Sequence, residues 1–138
     1  MHRKARLEAW KSTAETLLQL LNGTADDILQ QEFETVVRQS EMANPWFTRS
    51  QVLTALTGIT RLLDPSSLDK WISRYPETKV SPQQIGVIMA GNIPLAGFHD
   101  LHCVLLSGHH IRIKLSSSDP WLLPFLARIY FSFMPEDQ

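Results

Sequence analysis

Between Gln84 and Ser118 two short apolar runs flank a segment of helical spacing, and each run stops at a polar group. The first, Gln84-Ile85-Gly86-Val87-Ile88-Met89-Ala90, is short and rich in β-branched residues, the pattern of a strand buried on both faces. Gly91-Asn92 breaks it. Pro94 suits a first helical position, because its fixed φ fits a helix and its missing N–H would have had no partner there. The spacing predicts a helix over 94–107, closed by Gly108 in the left-handed conformation. His110-Ile111-Arg112-Ile113-Lys114-Leu115 then reads as a second strand. Strand, helical crossover and strand make a parallel pair with a right-handed connection, so Asn92 and Lys114 leave the sheet at the same rim. Open α/β sheets bind ligands at that rim. Ser118 or Asp119 with Pro120 repeats the start signal, and Trp121, Leu122, Phe125, Leu126, Ile129 and Tyr130 recur at helical spacing. The order is β-α-β-α.

Residues 1 to about 75 read as helices with little chemistry. Leu7, Trp10, Ala14, Leu17, Leu18 and Leu21 form one apolar stripe, ended by Asn22-Gly23. Thr24 is placed to cap a second helix bearing Ile28, Leu29, Phe33, Val36 and Val37, which Asn44-Pro45 stops. Thr48 followed by Gln51 fits a capping box for a third, with Val52, Leu56, Ile59, Leu62 and Leu63. Asp64-Pro65 opens a short fourth, containing Leu68, Trp71 and Ile72. Tyr75-Pro76-Glu77-Thr78 reads as a linker before Ser81-Pro82 and the first strand. No internal repeat or low-complexity tract is evident.

Composition excludes several classes of partner. The 138 residues leave room for a real core, and 43% hydrophobic with 20% charged residues describes an ordinary globular chain rather than a disordered one. A net charge of −1 and a pI near 6.5 give no electrostatic footprint for nucleic acid. No apolar run is long enough to span a bilayer and no signal-peptide core follows the first methionine, so a cytoplasmic setting is the default. One cysteine excludes an internal disulfide framework and a cysteine-rich zinc module. His99, His102 and Cys103 have helical spacing suited to a metal, but His102 projects with Leu95, Phe98 and Leu105 toward the sheet while Cys103 points away. No metal site is expected. His109 and His110 fall at the start of the second strand, away from the rim, and Trp10, Trp46, Trp71 and Trp121 read as packing residues.

The string IGVIMAGNIPLAGFHDLHCVLLSGHHIRIKLSSSDPWLLPFLARI resembles the cofactor-binding segment of the aldehyde dehydrogenase superfamily, and AGNIPLAGFHD and KLSSSD resemble its acyl-CoA reductase branch, which includes the fatty acyl-CoA reductases of bacterial bioluminescence. NPWFTRSQVLTAL and WISRYP look like the lead-in of such reductases, with less chemical content. The resemblance implies an α/β fold: a helical N-terminal region over 1–76, then over 77–138 a partial dinucleotide-binding β-α-β-α unit, the incomplete start of a parallel Rossmann-like sheet. It implies a catalytic role for Asn92, whose side-chain amide would donate to the substrate oxyanion, and a ribose contact for Lys114. Met89, Ala90, Ser116 and Ser117 would complete the cofactor-binding set. Many NAD-using members carry a glutamate where this chain has Ser117, and losing that charge favours NADP(H). No G-x-G-x-x-G occurs, which argues against the ordinary dinucleotide fingerprint but not against this superfamily.

Chemistry agrees with those roles. Thioester reduction passes through a tetrahedral adduct whose oxygen becomes negative, and one fixed amide donor there is worth ~3 kcal/mol. Lysine offers three donors to nucleotide hydroxyls and phosphates. Each residue also has a plainer reading: an asparagine at a strand-to-helix turn often serves only the backbone, a strand-end lysine is often just solvated, and three serines can simply build a turn and cap. Their joint position on one rim favours the functional reading.

The superfamily's mechanism also requires a cysteine thiolate from a separate catalytic domain. Cys103 follows the Asn92 loop on the crossover helix with no strong basic activator expected beside it, and does not fill that role. The chain stops just after a helix, where a doubly wound sheet would continue. The expectation is therefore an N-terminal fragment of an NADPH-dependent acyl-CoA reductase acting on an acyl thioester or aldehyde, inactive alone. The alternative is a noncatalytic helical interaction or oligomerisation module with a vestigial β-α-β unit, its open sheet edge covered by a partner or a second copy. Acyl chain length, physiological direction, oligomeric state and the downstream nucleophile and acid/base groups are not legible in the sequence.

Overall fold

The computed structural model describes residues 3–77 and 81–134, so Thr78 of the expected linker and the terminal Pro135–Gln138 lie outside the described residues. Four helices come first: α1 (Arg3–Asn22), α2 (Asp27–Ala43), α3 (Arg49–Leu62) and α4 (Pro65–Ile72). Strand β1 (Gln84–Ile88), helix α5 (Phe98–Ser107), strand β2 (His110–Lys114) and helix α6 (Leu122–Ser132) follow. The predicted element order holds throughout.

Helix ends follow local chemistry. Thr48 and Asp64 cap α3 and α4 as expected, accepting the N–H of Gln51 at 3.3 Å and of Ser67 at 2.9 Å. Helix α2 differs: Asp26, not Thr24, accepts the Leu29 N–H at 3.0 Å, while the Thr24 N–H donates back to the Gln19 carbonyl at 2.8 Å. Thr24 thus closes α1, and a carboxylate is the stronger acceptor for the positive end of the next helix. Gly108 ends α5 at φ 91°, and the Arg6 guanidinium lies where a side chain at 108 would go.

The strands pair in parallel from Gln84 opposite His110 to Ile88 opposite Lys114. His109 fixes the start of this pair, its Nδ1 accepting the Gln83 N–H at 3.2 Å. Burial corrects one expectation. Among the described residues only one face of the sheet is covered: Val87, Ile111 and Ile113 pack inward, whereas Gln84, Gly86, Ile88, His110, Arg112 and Lys114 are exposed. Ile88 is 81% exposed, because two strands with helices on one side leave the other face bare.

One hydrophobic core draws on both the N-terminal helices and the β-α-β-α segment. At its centre Trp10 of α1, fully buried, stacks on Tyr130 of α6 at 4.2 Å and meets Phe98 and His102 of α5 edge-on at 5.6 and 4.8 Å. The packing stripes shift in places from expectation. Leu20 and Thr13 are buried where Leu18 is exposed, and Ile28, Leu62 and Trp121 face outward. Trp46 is 85% exposed, because its neighbour Phe47 takes the inward position in the α2–α3 turn. His102 faces Trp10 and Trp71, the helical layer rather than the sheet. Ion pairs Lys11–Asp69, Arg49–Glu34 and Arg128–Glu32 tie α1 to α4, α2 to α3 and α2 to α6. At exposed positions such pairs contribute at most ~1 kcal/mol each, well below the core.

Candidate functional site

Two loops meet at the carboxyl ends of the strands, residues 89–97 after β1 and 115–121 after β2. The Met89 N–H donates to the Lys114 carbonyl at 3.0 Å, extending the pairing one step past Ile88. Beyond it the loops touch. A Cβ built on Gly91 would sit 2.1 Å from Ser116 Oγ and 2.5 Å from Ser116 Cβ, so only glycine lets the chain carrying Asn92 cross the serine loop this closely. Gly97 makes the second close approach, since its Cβ would fall 2.2 Å from Met89 Sδ. The serine loop is braced internally: Ser116 Oγ accepts the Ser118 N–H at 3.2 Å and the Ser116 carbonyl accepts the Asp119 N–H at 3.1 Å. Asn44, from the α2–α3 turn, donates its side-chain amide to the Ser118 carbonyl at 3.4 Å.

Pro94 does not begin α5. The chain runs through turns until Gly97, and Leu95 adopts φ 60°, a left-handed conformation that costs a leucine roughly 1–2 kcal/mol. Two compensations hold it there. The Leu95 side chain is buried, and its N–H donates at 2.9 Å to Asp119 Oδ2. Asp119 is itself only 5% exposed, and its Oδ1 accepts the Leu122 N–H at 3.4 Å near the start of α6, which opens two residues later than Pro120 suggests. Burial pushes the Asp119 carboxyl above the ordinary carboxylate range, and the two N–H donors oppose that shift. The sequence marks Asp119 only as a candidate helix cap; nothing local to it reveals the bond to a residue 24 positions earlier.

The structure brings Asn92, Ala90, Lys114 and Ser117 to one rim, all of them exposed. Met89 and Ser116 stand there differently. Met89 is buried with its side chain close to Gly97, and Ser116 Oγ accepts the Ser118 N–H beside Gly91, so both also help to build the loops. Position 117 carries a serine hydroxyl rather than a carboxylate, and Lys114 is exposed beside it, a side chain whose three donors suit nucleotide hydroxyls and phosphates.

Cys103, His99 and His102 do not converge on a metal. His102 is buried among rings, while the Cys103 thiol lies 3.5 Å from His99 Nε2 on the outer part of α5. An imidazole therefore does stand beside Cys103, contrary to the sequence expectation. Burial first, and Asp100 second, push the Cys103 thiol pKa up, which opposes thiolate formation. Among the described residues no group of three or more His, Cys, Asp or Glu side chains could hold a metal ion, and no helix is long and apolar enough to cross a membrane.

The family model for Acyl-CoA reductase (LuxC) matches residues 6–137, nearly the whole chain. No curated protein and no solved structure matches.

Proposed function

We propose that this chain, which belongs to the Acyl-CoA reductase (LuxC) family, uses its strand-end rim to bind NADP(H) and to stabilise the oxyanion formed when an acyl thioester is reduced to an aldehyde. One observation carries the reading: Asn92, Lys114 and Ser117 stand exposed at the same end of a parallel strand pair in a chain of this family. Bound NADPH would supply the hydride. Lys114 would hold ribose hydroxyls or phosphate, Ser117 would admit a 2′-phosphate that a carboxylate would repel, and Asn92 would donate its amide N–H to the developing negative oxygen. The acyl group would be carried as a thioester on a cysteine other than Cys103, whose thiol pKa is pushed up by burial on α5. By itself, then, the chain of 138 residues is expected to produce no aldehyde from acyl-CoA and NADPH. Aldehyde formation lost on Cys103→Ala would instead make Cys103 the nucleophile.

The rim is tested by titrating NADPH and NADH into the wild type, Lys114→Ala and Ser117→Glu, following rim resonances or tryptophan emission. Lys114→Ala is expected to weaken NADPH binding about tenfold, the loss of one charged contact, and Ser117→Glu to shift preference toward NADH. If neither change alters affinity or preference, the rim is not the cofactor site. A second reading, a noncatalytic interaction module, draws support from the bare sheet face around Ile88. It predicts concentration-dependent self-association in sedimentation that Ile88→Lys abolishes.

A further inference from the structure

We propose that Asp119 is a positioning residue that couples the Asn92 turn to the serine loop, so that the two functional parts of the rim take their geometry from one buried carboxylate. The inference rests on the rim reading above and adds a residue that touches neither proposed ligand. Three observations carry it. Asp119 Oδ2 receives the Leu95 N–H at 2.9 Å, three residues after Asn92, and Oδ1 receives the Leu122 N–H at 3.4 Å. The Asp119 N–H is held in turn by the Ser116 carbonyl at 3.1 Å, so the same residue is pinned to the serine loop. Leu95 sits in a left-handed conformation that leucine rarely adopts, and the carboxylate holds its N–H in that conformation. The backbone at Gly91 lies close against Ser116, leaving no room there for a Cβ. A shift of the serine loop therefore moves Asp119, and Asp119 moves the turn that aims Asn92.

The test uses the isotopically labelled chain of 138 residues, without ligand, as wild type, Asp119→Ala, Asp119→Asn and Asp64→Ala. The last removes the α4 cap, a comparable carboxylate bond away from the rim. In Asp119→Ala the Leu95 amide is expected to exchange about 10- to 100-fold faster than the global stability change explains, the equivalent of losing a hydrogen bond to a charged acceptor. The Gly91 and Asn92 resonances, including the Asn92 side-chain amide, should move with it. Asp119→Asn should rescue either the Leu95 or the Leu122 bond but not both, since its amide keeps one acceptor oxygen. Asp64→Ala should leave Leu95 and Asn92 unchanged. Should Asp119→Ala fail to fold, the wild type decides alone: the Leu95 and Leu122 amide protons should follow a single carboxyl titration together. Independent or absent movement of the two, or an Asp119→Ala protein with wild-type Leu95 exchange and Asn92 shifts, overturns the proposal. The rim reading fails separately, in the NADPH titration, which these ligand-free measurements do not use.

Discussion

His102 shows how one side chain sets a pH response. It lies buried among Trp10, Trp71 and Phe98, and its Nδ1 has no partner among the described residues. Burial first, and the neighbouring His99 second, lower its pKa from 6.5 to about 4. The folded protein therefore resists protonation that the unfolded chain accepts. Stability from keeping His102 neutral is complete above the ordinary histidine pKa and is lost as pH falls toward the folded value, by ~3 kcal/mol across the window. Replacing the imidazole with a phenyl ring keeps the stacking and removes the proton site. His102→Phe is expected to match the wild type within ~1 kcal/mol at neutral pH and to exceed it clearly near pH 4. Urea unfolding at the two pH values checks this; an unchanged pH slope would place the acid sensitivity elsewhere.

At the scale of elements, the β-α-β unit is a case where sequence and structure agree because the signals are local. A short apolar run, a break at Gly91, helical spacing and Gly108 at φ 91° each act within a few residues, and together they gave the two strands to within two residues, their parallel pairing and the shared rim. What escaped was set by contacts distant in sequence. Helix α5 starts late because Asp119, in a loop 24 residues on, holds Leu95 outside the helix. The bare sheet face was hidden too, since an apolar run does not say whether a second layer covers it. Among site residues, exposure at the rim follows from strand direction, whereas the burial of Met89 and the half-buried place of Ser116 go with their close approaches to Gly97 and Gly91, which leave no local trace. Gly91 gives the sharpest test of the loop crossing. Gly91→Ala puts a methyl group 2.1 Å from Ser116 Oγ, so the serine loop must move, at a cost of about 1–3 kcal/mol. If the rim binds NADPH, affinity should fall as well, and Ser116→Gly in the same chain should restore part of both losses because it removes the obstructing side chain. Stability and NADPH titrations of the single and double variants measure that coupling; strictly additive effects would deny the contact.

The whole molecule depends on how the helical region and the strand-bearing region share one core, and Trp10 is where they meet. From α1 it reaches Phe98 and His102 on α5 and Tyr130 on α6, so the rim's supporting helices pack on a residue more than seventy positions earlier in the chain. Its indole contributes volume and ring contacts, but its buried Nε1–H finds no acceptor among the described residues, which offsets part of that gain by ~1–3 kcal/mol. Two substitutions separate these effects. Trp10→Ala removes the ring and leaves a cavity at the junction, with an expected loss of ~3–5 kcal/mol, a large share of a typical folding free energy of ~5–15 kcal/mol. Trp10→Phe retains an aromatic contact and deletes the unsatisfied donor, so it should cost much less, about 1 kcal/mol. Because the junction joins both regions, the loss in Trp10→Ala should appear equally in amide exchange of α1, α5 and α6, and unfolding should remain one cooperative transition. Exchange that accelerates in α5 and α6 while the protection of α2 and α3 persists would show instead that the helical region stands without the strand-bearing one, and that the shared core couples them only weakly.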